Sequence, residues 1–172
     1  EGDLYDAIVI DVDGTLLDSE KQISEKTVET IVDAQKRGKK IAIASGRSIA
    51  GIRKNVAKIQ LEKYGGYVIA YNGTTVVNCK TGECIYNQMV PGEILSQVYN
   101  EAVKSGVSIA VYNDAAKEII VGNGLNKYVE FDAVACDVAV KESNDFVKTV
   151  NFGFNKILLS GEPDNMKNVE KH

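Results

Sequence analysis

Apolar and polar positions alternate in short blocks along the first seventy residues. Ala7-Ile8-Val9-Ile10 is an uninterrupted apolar run halted by Asp11 and Asp13, which predicts a buried strand. A polar loop follows to Ile23. Ser24 is placed to cap a helix carrying Val28, Ile31 and Val32 at helical spacing, closed by Gly38. Lys40-Ile41-Ala42-Ile43-Ala44 predicts a second buried strand, and residues 48–61, with Ile49, Ile52, Val56 and Ile59, a second helical stretch. Gly66-Tyr67-Val68-Ile69-Ala70 predicts a third strand, ending in Tyr71-Asn72-Gly73. Strands alternating with helices predict a parallel sheet with right-handed crossovers.

The pattern changes near residue 74. Thr75–Cys79 and Cys84–Gln88 flank a Thr-Gly turn and predict an antiparallel hairpin. Pro91 opens a helix through Ile94, Leu95, Val98 and Ala102 that stops at Gly106. Short strands are expected at Val107–Tyr112, Glu118–Val121 and Lys156–Leu159. Val138 to Gly153 shows no readable period. The expected organisation is an α/β chain: a parallel-sheet unit over residues 1–83 and a separate α+β unit over 84–172.

At 172 residues, 44% hydrophobic and 26% charged, the chain has the balance of a globular protein with enough apolar material for a core. Twenty Lys and Arg against 24 Asp and Glu leave a net charge of −4, interspersed along the chain, which argues against nucleic acid and anionic membrane as partners. No apolar run approaches the ~20 residues of a membrane span, and residues 1–7 do not resemble a signal peptide. Cys79, Cys84 and Cys136 form an odd set with no Cys-x-x-Cys, which favours free thiols and the cytoplasm, although Cys79 and Cys84 flank a turn and a cross-strand disulfide stays open. The one histidine is the final residue, His172, so Ser-His-Asp or Cys-His chemistry and His-rich zinc sites lack material.

The chemistry concentrates at strand ends. Asp11-Val12-Asp13-Gly14-Thr15 puts two carboxylates two residues apart at the carboxyl end of the first strand, where an open α/β sheet binds ligands. An EF-hand is excluded: counted from Asp11, Gly14 falls at position four instead of six, and position twelve is Gln22 instead of Glu. The Asp-Lys-Thr-Gly-Thr of P-type ATPases is absent. Ser45-Gly46-Arg47 ends the second strand, where a hydroxyl and the N–H groups of the next turn can receive phosphate, or simply cap a helix.

The strand-end Asp-x-Asp-Gly-Thr resembles the first motif of the haloacid dehalogenase phosphatase superfamily. With Ser45-Gly46-Arg47 and Asn72-Gly73 it looks like the Cof-type branch. That resemblance implies a Rossmann-like parallel sheet core with an inserted α+β cap domain and a phosphatase acting on small phosphorylated metabolites such as sugar phosphates. By the same resemblance Asp11 attacks phosphorus to form an aspartyl-phosphate, and Asp13 serves as acid and then base. Mg²⁺ sits on the Asp11 carboxylate and the Asp13 main-chain carbonyl. Ser45 and Gly46 hold the phosphoryl group. Arg47 contacts substrate or cap, or else serves as a surface or capping residue. Asn72 is first a turn signal, with a place near substrate only by resemblance.

Spacing bears on the branch. Asp11 to Ser45 has room for one loop and one helix, so a helical cap inserted there does not fit, and the insertion falls after the third strand. Phosphomannomutases share that arrangement but carry Gly-Gly-Ser where this chain has Ser-Gly-Arg, so a phosphatase is favoured over a phosphomutase. The family also has a neutralising Lys and a later acidic cluster. Ser160-Gly161-Glu162-Pro163-Asp164-Asn165 superficially resembles that cluster, but Pro163 and Asp164 better mark a helix start, and a cap strand and helix are expected there. The expectation is therefore the first part of a core plus most of a cap, with a catalytically incomplete phosphate-binding fragment as the alternative. Substrate identity and oligomeric state are not legible in the letters.

Overall fold

The computed structural model describes residues 5–170, so His172 and residues 1–4 of the amino terminus lie outside the described residues. The chain divides into two units between Gln88 and Met89.

The first unit carries one five-stranded sheet in the order β1-β2-β3-β4-β5. Its strands are β1 (Ala7–Asp11), β2 (Lys40–Ala44), β3 (Tyr67–Ala70), β4 (Thr75–Asn78) and β5 (Cys84–Asn87). Strands β1, β2 and β3 are parallel, as the alternating pattern predicts. Helix α1 (Glu25–Lys36) connects the first two, and α2 (Ile49–Lys58) with the single turn α3 (Leu61–Tyr64) connects β2 to β3. Ser24 caps α1 by accepting from Thr27 N at 3.1 Å. Burial concentrates on one side of each helix and on alternate residues of β2: Ile31, Val32, Ile41, Ile43, Ile52, Val56, Ile59 and Leu61 are all buried. The buried Gln35 amide donates to Ile59 O at 2.7 Å, tying α1 to the end of α2.

Two expectations change here. Strand β1 is not buried: Ile8 is 41% and Val9 60% exposed, because among the described residues β1 has a partner on one side only and little packs on its faces. The hairpin also stays whole. Strand β5 pairs with β4 and so belongs to the first unit's sheet, which moves the division from residue 83 to residue 88. Val77 faces Cys84 across that pair, so Cys79 has no cysteine opposite, and all three cysteines are free.

The second unit holds a four-stranded sheet in the order β8-β7-β6-β9. It begins with α4 (Leu95–Ser105), ended by the left-handed Gly106. Then come β6 (Ser108–Asn113), β7 (Glu118–Gly122), α5 (Lys127–Cys136), β8 (Ala139–Glu142), the single turn α6 (Phe146–Thr149), β9 (Ile157–Ser160) and α7 (Pro163–Val169). The core is Leu95, Ala102, Ile109, Val111, Ile120 and Phe146 with their neighbours, and Phe146 stacks on Tyr99 with ring centres 5.5 Å apart. Gly122 makes room for that ring: a Cβ there would lie 2.6 Å from Phe146 Cγ. The stretch from Val138 to Gly153 thus contains β8 and α6, with α5 just before it. Ser160 ends β9 against β6, and Pro163 opens α7, so the acidic-looking segment at 160–165 is the expected strand and helix start. No helix among the described residues is long and apolar enough to cross a membrane.

Candidate active site at the strand ends

The turn after β1 is built by burying three side chains and exposing the rest. Val12, Leu16 and Leu17 are buried, while Asp11, Asp13, Gly14 and Thr15 face solvent. A wide turn over Val12–Leu16, closed by Leu17 N donating to Val12 O at 3.0 Å, permits this. Gly14 sits at φ +79°, a left-handed conformation that a side chain would strain. Both carboxylates therefore stand clear of the apolar core.

Register brings the second motif alongside. Asp11 pairs with Ala44 across β1 and β2, which puts Ser45 one residue beyond the partner of Asp11 at the same end of the sheet. Ser45 is buried, and its position is fixed by its backbone: its N–H donates to Ile69 O at 2.9 Å and its carbonyl accepts from Asn72 N at 3.2 Å. The third strand's turn is joined to the same point, with Tyr71 N donating to Arg47 O at 3.0 Å. Tyr71 and Asn72 both have positive φ, 50° and 58°, ahead of Gly73 at 95°. A left-handed tyrosine is unusual, and such strain collects where backbone geometry serves a function.

The Ser45 hydroxyl does not cap the helix. That role belongs to Ser48, whose Oγ accepts from Gly51 N at 3.1 Å. Ser45 Oγ instead accepts from Arg47 N at 3.2 Å. Its own hydrogen is left to donate elsewhere, since a hydroxyl both donates and accepts.

Arg47 clasps Asp13. Nε donates to Oδ2 at 2.8 Å and Nη2 to Oδ1 at 2.7 Å, a bidentate pair between residues 34 apart in sequence, while Nη1 donates to Gly51 O at 3.4 Å. Lys21 adds a weaker contact to Asp13 Oδ1 at 3.3 Å. The hydrogen-bonded Arg47 guanidinium holds the Asp13 carboxyl below the usual carboxylate range; partial burial opposes this, and the Arg47 and Lys21 charges reinforce it. Lys21 lay in the polar loop with no motif around it, and only its charge marked it.

Thus Asp11, Asp13, Ser45, Gly46, Arg47 and Asn72 all fall on the ends of β1, β2 and β3 or the turns that follow. Gly46 and Asn72 abut. A Cβ on Gly46 would lie 2.6 Å from Asn72 Oδ1. The donor set suits Mg²⁺, a hard cation that takes oxygen ligands and commonly only one or two from protein carboxylates. Asp11 offers an exposed carboxylate, whereas that of Asp13 is engaged by Arg47 and Lys21, leaving its main-chain carbonyl as the group to offer. No group of three or more His, Cys, Asp or Glu residues able to hold a metal occurs among the described residues.

The chain is similar to several known proteins. A model of the haloacid dehalogenase-like hydrolases matches residues 8–172. YxeH of Bacillus subtilis, named as a phosphatase, is 38% identical over 82 residues, 48% of this chain and 30% of that protein. HMP-PP phosphatase of Cronobacter sakazakii is 31% identical over 88 residues, 51% of this chain and 31% of that protein. Among solved structures, a haloacid dehalogenase-like hydrolase from Bacteroides thetaiotaomicron has a TM-score of 0.89 at 34% identity, covering 97% of this chain and 62% of its own. A subclass IIB sugar phosphatase of the same superfamily has a TM-score of 0.76 at 25% identity, covering 96% and 62%. The matched segments thus span under a third of these curated relatives, and the chain under two thirds of these structures.

Proposed function

This chain belongs to the haloacid dehalogenase-like hydrolases, and we propose that it carries the nucleophile-bearing part of a Mg²⁺-dependent phosphatase for small phosphorylated metabolites, sugar phosphates among them. The observation that supports the proposal is the register of β1 on β2, which pairs Asp11 with Ala44, the residue before Ser45, so that both motifs lie at the carboxyl ends of adjacent parallel strands. The unit from Met89 onward serves in this proposal as the cap that selects the leaving group. Three free cysteines accord with work in the cytoplasm.

In the reaction, an Asp11 oxygen attacks phosphorus as the bond from phosphorus to the leaving oxygen breaks, and Asp13, which must first take up a proton against the Arg47 contact that favours its ionised form, delivers that proton to the leaving oxygen. Water then attacks the phosphorus of the aspartyl-phosphate and gives its proton to Asp13. Inorganic phosphate leaves and Asp11 is regenerated. The unused hydrogen of Ser45 Oγ donates to a phosphoryl oxygen and fixes its orientation. The Asp11 carboxylate and the Asp13 main-chain carbonyl would hold Mg²⁺, whose charge would offset the repulsion between carboxylate and dianionic phosphate.

The test is release of inorganic phosphate from a panel of sugar phosphates by the full-length protein with Mg²⁺, against Asp11→Asn. The amide is isosteric but a poor nucleophile, so release should vanish while circular dichroism stays unchanged. A variant retaining a tenth of the wild-type rate excludes Asp11 as the covalent residue. Isomerised sugar phosphate in place of inorganic phosphate would point to a phosphomutase. Phosphate binding without either product would point to a binding module.

A further inference from the structure

We propose that Arg47 acts as a positioning residue for Asp13, fixing the carboxylate that serves the leaving group, and not as a ligand of the transferring phosphate. The inference rests on the phosphatase reading above and assigns a role within it. Three observations support it. The guanidinium edge formed by Nε and Nη2, the edge suited to clasp two phosphate oxygens, is occupied by the two oxygens of Asp13 at 2.8 and 2.7 Å. Arg47 is itself held from other directions: Nη1 bonds Gly51 O, its N–H bonds Ser45 Oγ, and its carbonyl accepts from Tyr71 N. Its side chain is 21% exposed against 43% for Asp13, so the better anchored partner constrains the freer one.

The need for such a clasp follows from the local backbone. Asp13 stands on an exposed turn beside a left-handed glycine, and among the described residues the other side chain bonded to its carboxylate is the long, exposed Lys21 of the following loop. A carboxylate that must meet one leaving oxygen at hydrogen-bond range gains little from a flexible support. The planar fork of an arginine supplies direction as well as charge, which the single ammonium of lysine does not.

The position of Arg47 predicts a particular kinetic signature. Protonation matters when the leaving oxygen is strongly basic, as in an alkyl phosphate, and matters little for 4-nitrophenyl phosphate, whose leaving group departs as a stable anion. The kcat/KM value reports the half-reaction in which that bond breaks and Asp11 becomes phosphorylated. In the full-length protein with Mg²⁺, Arg47→Lys and Arg47→Gln should lower kcat/KM about ten- to a hundredfold for glucose 6-phosphate or whichever sugar phosphate turns over best, consistent with part of the gain of one positioned acid. For 4-nitrophenyl phosphate the loss should stay within about threefold, as should the change in the inhibition constant of inorganic phosphate, because the lost contact is not to phosphate. In an Asp13→Asn background, the Arg47 changes should have little further effect. Equal losses on both substrates together with a weakened phosphate inhibition constant would overturn the proposal and make Arg47 a phosphate ligand. Losses that persist undiminished in the Asp13→Asn background would also overturn it. A wild-type protein that releases no phosphate from any substrate overturns the phosphatase reading and this inference together, whereas the other failures leave that reading standing.

Discussion

Gly46 and Asn72 meet so closely that a methyl group on Gly46 would press on Asn72 Oδ1 at 2.6 Å. The turn after β2 and the turn after β3 therefore share one space, and the absence of a side chain on Gly46 is what lets them. Gly46→Ala should destabilise the protein by about 1–3 kcal/mol, the usual cost of overpacking. The same change made in an Asn72→Gly background should cost clearly less, since the obstructing amide is gone and glycine accepts the φ of 58°. Chemical denaturation of the four proteins checks this; identical costs in both backgrounds would place the strain elsewhere.

Ser45→Ala should reduce phosphatase turnover about ten- to a hundredfold, the value of one hydrogen bond to a charged group at roughly 1.5–3 kcal/mol. The loss should be milder than that of Asp11→Asn. Because Ser48 and not Ser45 caps α2, the melting temperature should fall little. Unchanged kinetics would reduce Ser45 to the local bond it makes with Arg47 N.

Acid titration should report the Arg47–Asp13 pair directly. Asp13 has a folded-state pKa below its ordinary 3.8, so its ionised form contributes stability above the unfolded pKa and loses it as pH falls through the lowered value. Arg47→Gln should raise the Asp13 midpoint toward 3.8, read from side-chain carboxyl resonances in NMR. The stability gap between wild type and Arg47→Gln should be present at neutral pH and shrink below about pH 4. A gap that widens in acid would show that the difference comes from another contact.

Thiol labelling should separate the three cysteines. Cys84 is exposed on β5, and Cys136 is buried within the second unit. Burial, helped by the charge of Glu62, pushes the Cys79 thiol up to about 11. At pH 8 iodoacetamide should modify Cys84 first and Cys79 far more slowly, because only on the order of a thousandth of a thiol with that pKa is thiolate. Cys136 should react only on unfolding. Peptide mass spectrometry over time reads the order, and labelling of Cys79 as fast as Cys84 would contradict it.

Much of the first unit was legible because its helices are amphipathic and its inner strands alternate with capped turns. Ser24 and Gly38 mark boundaries by local chemistry alone, and the structure keeps both, whereas Pro91 precedes a short 3-10 turn over Gly92–Ile94 and α4 begins only at Leu95. The region after Gly122 resisted for a physical reason. Helix α5 is apolar on both faces: Val129 and Ala133 point inward, while Phe131 and Val134 stand 73% and 81% exposed, so no period of 3.6 emerges. Strand β8 is exposed along its whole length and carries no core signal. Within the site, strand-end positions could be read from the chain, but the Arg47–Asp13 clasp could not. It joins two turns 34 residues apart, and its donor could equally have faced solvent.

The exposure of β1 bears on how firmly the Asp11 carboxylate is held. Asp11 terminates a strand whose hydrogen-bonded support among the described residues comes from one neighbour, β2, and whose outward side chains press on almost nothing. Its steadiness is thus borrowed. Ile41 and Ile43, fully packed and paired in register with Ile8 and Ile10, set the line along which β1 lies and with it the aim of Asp11. Amide hydrogen exchange should then be slower along β2 than along β1. Trimming either isoleucine to valine should loosen the hold on the Asp11 carboxylate, read as faster exchange along β1.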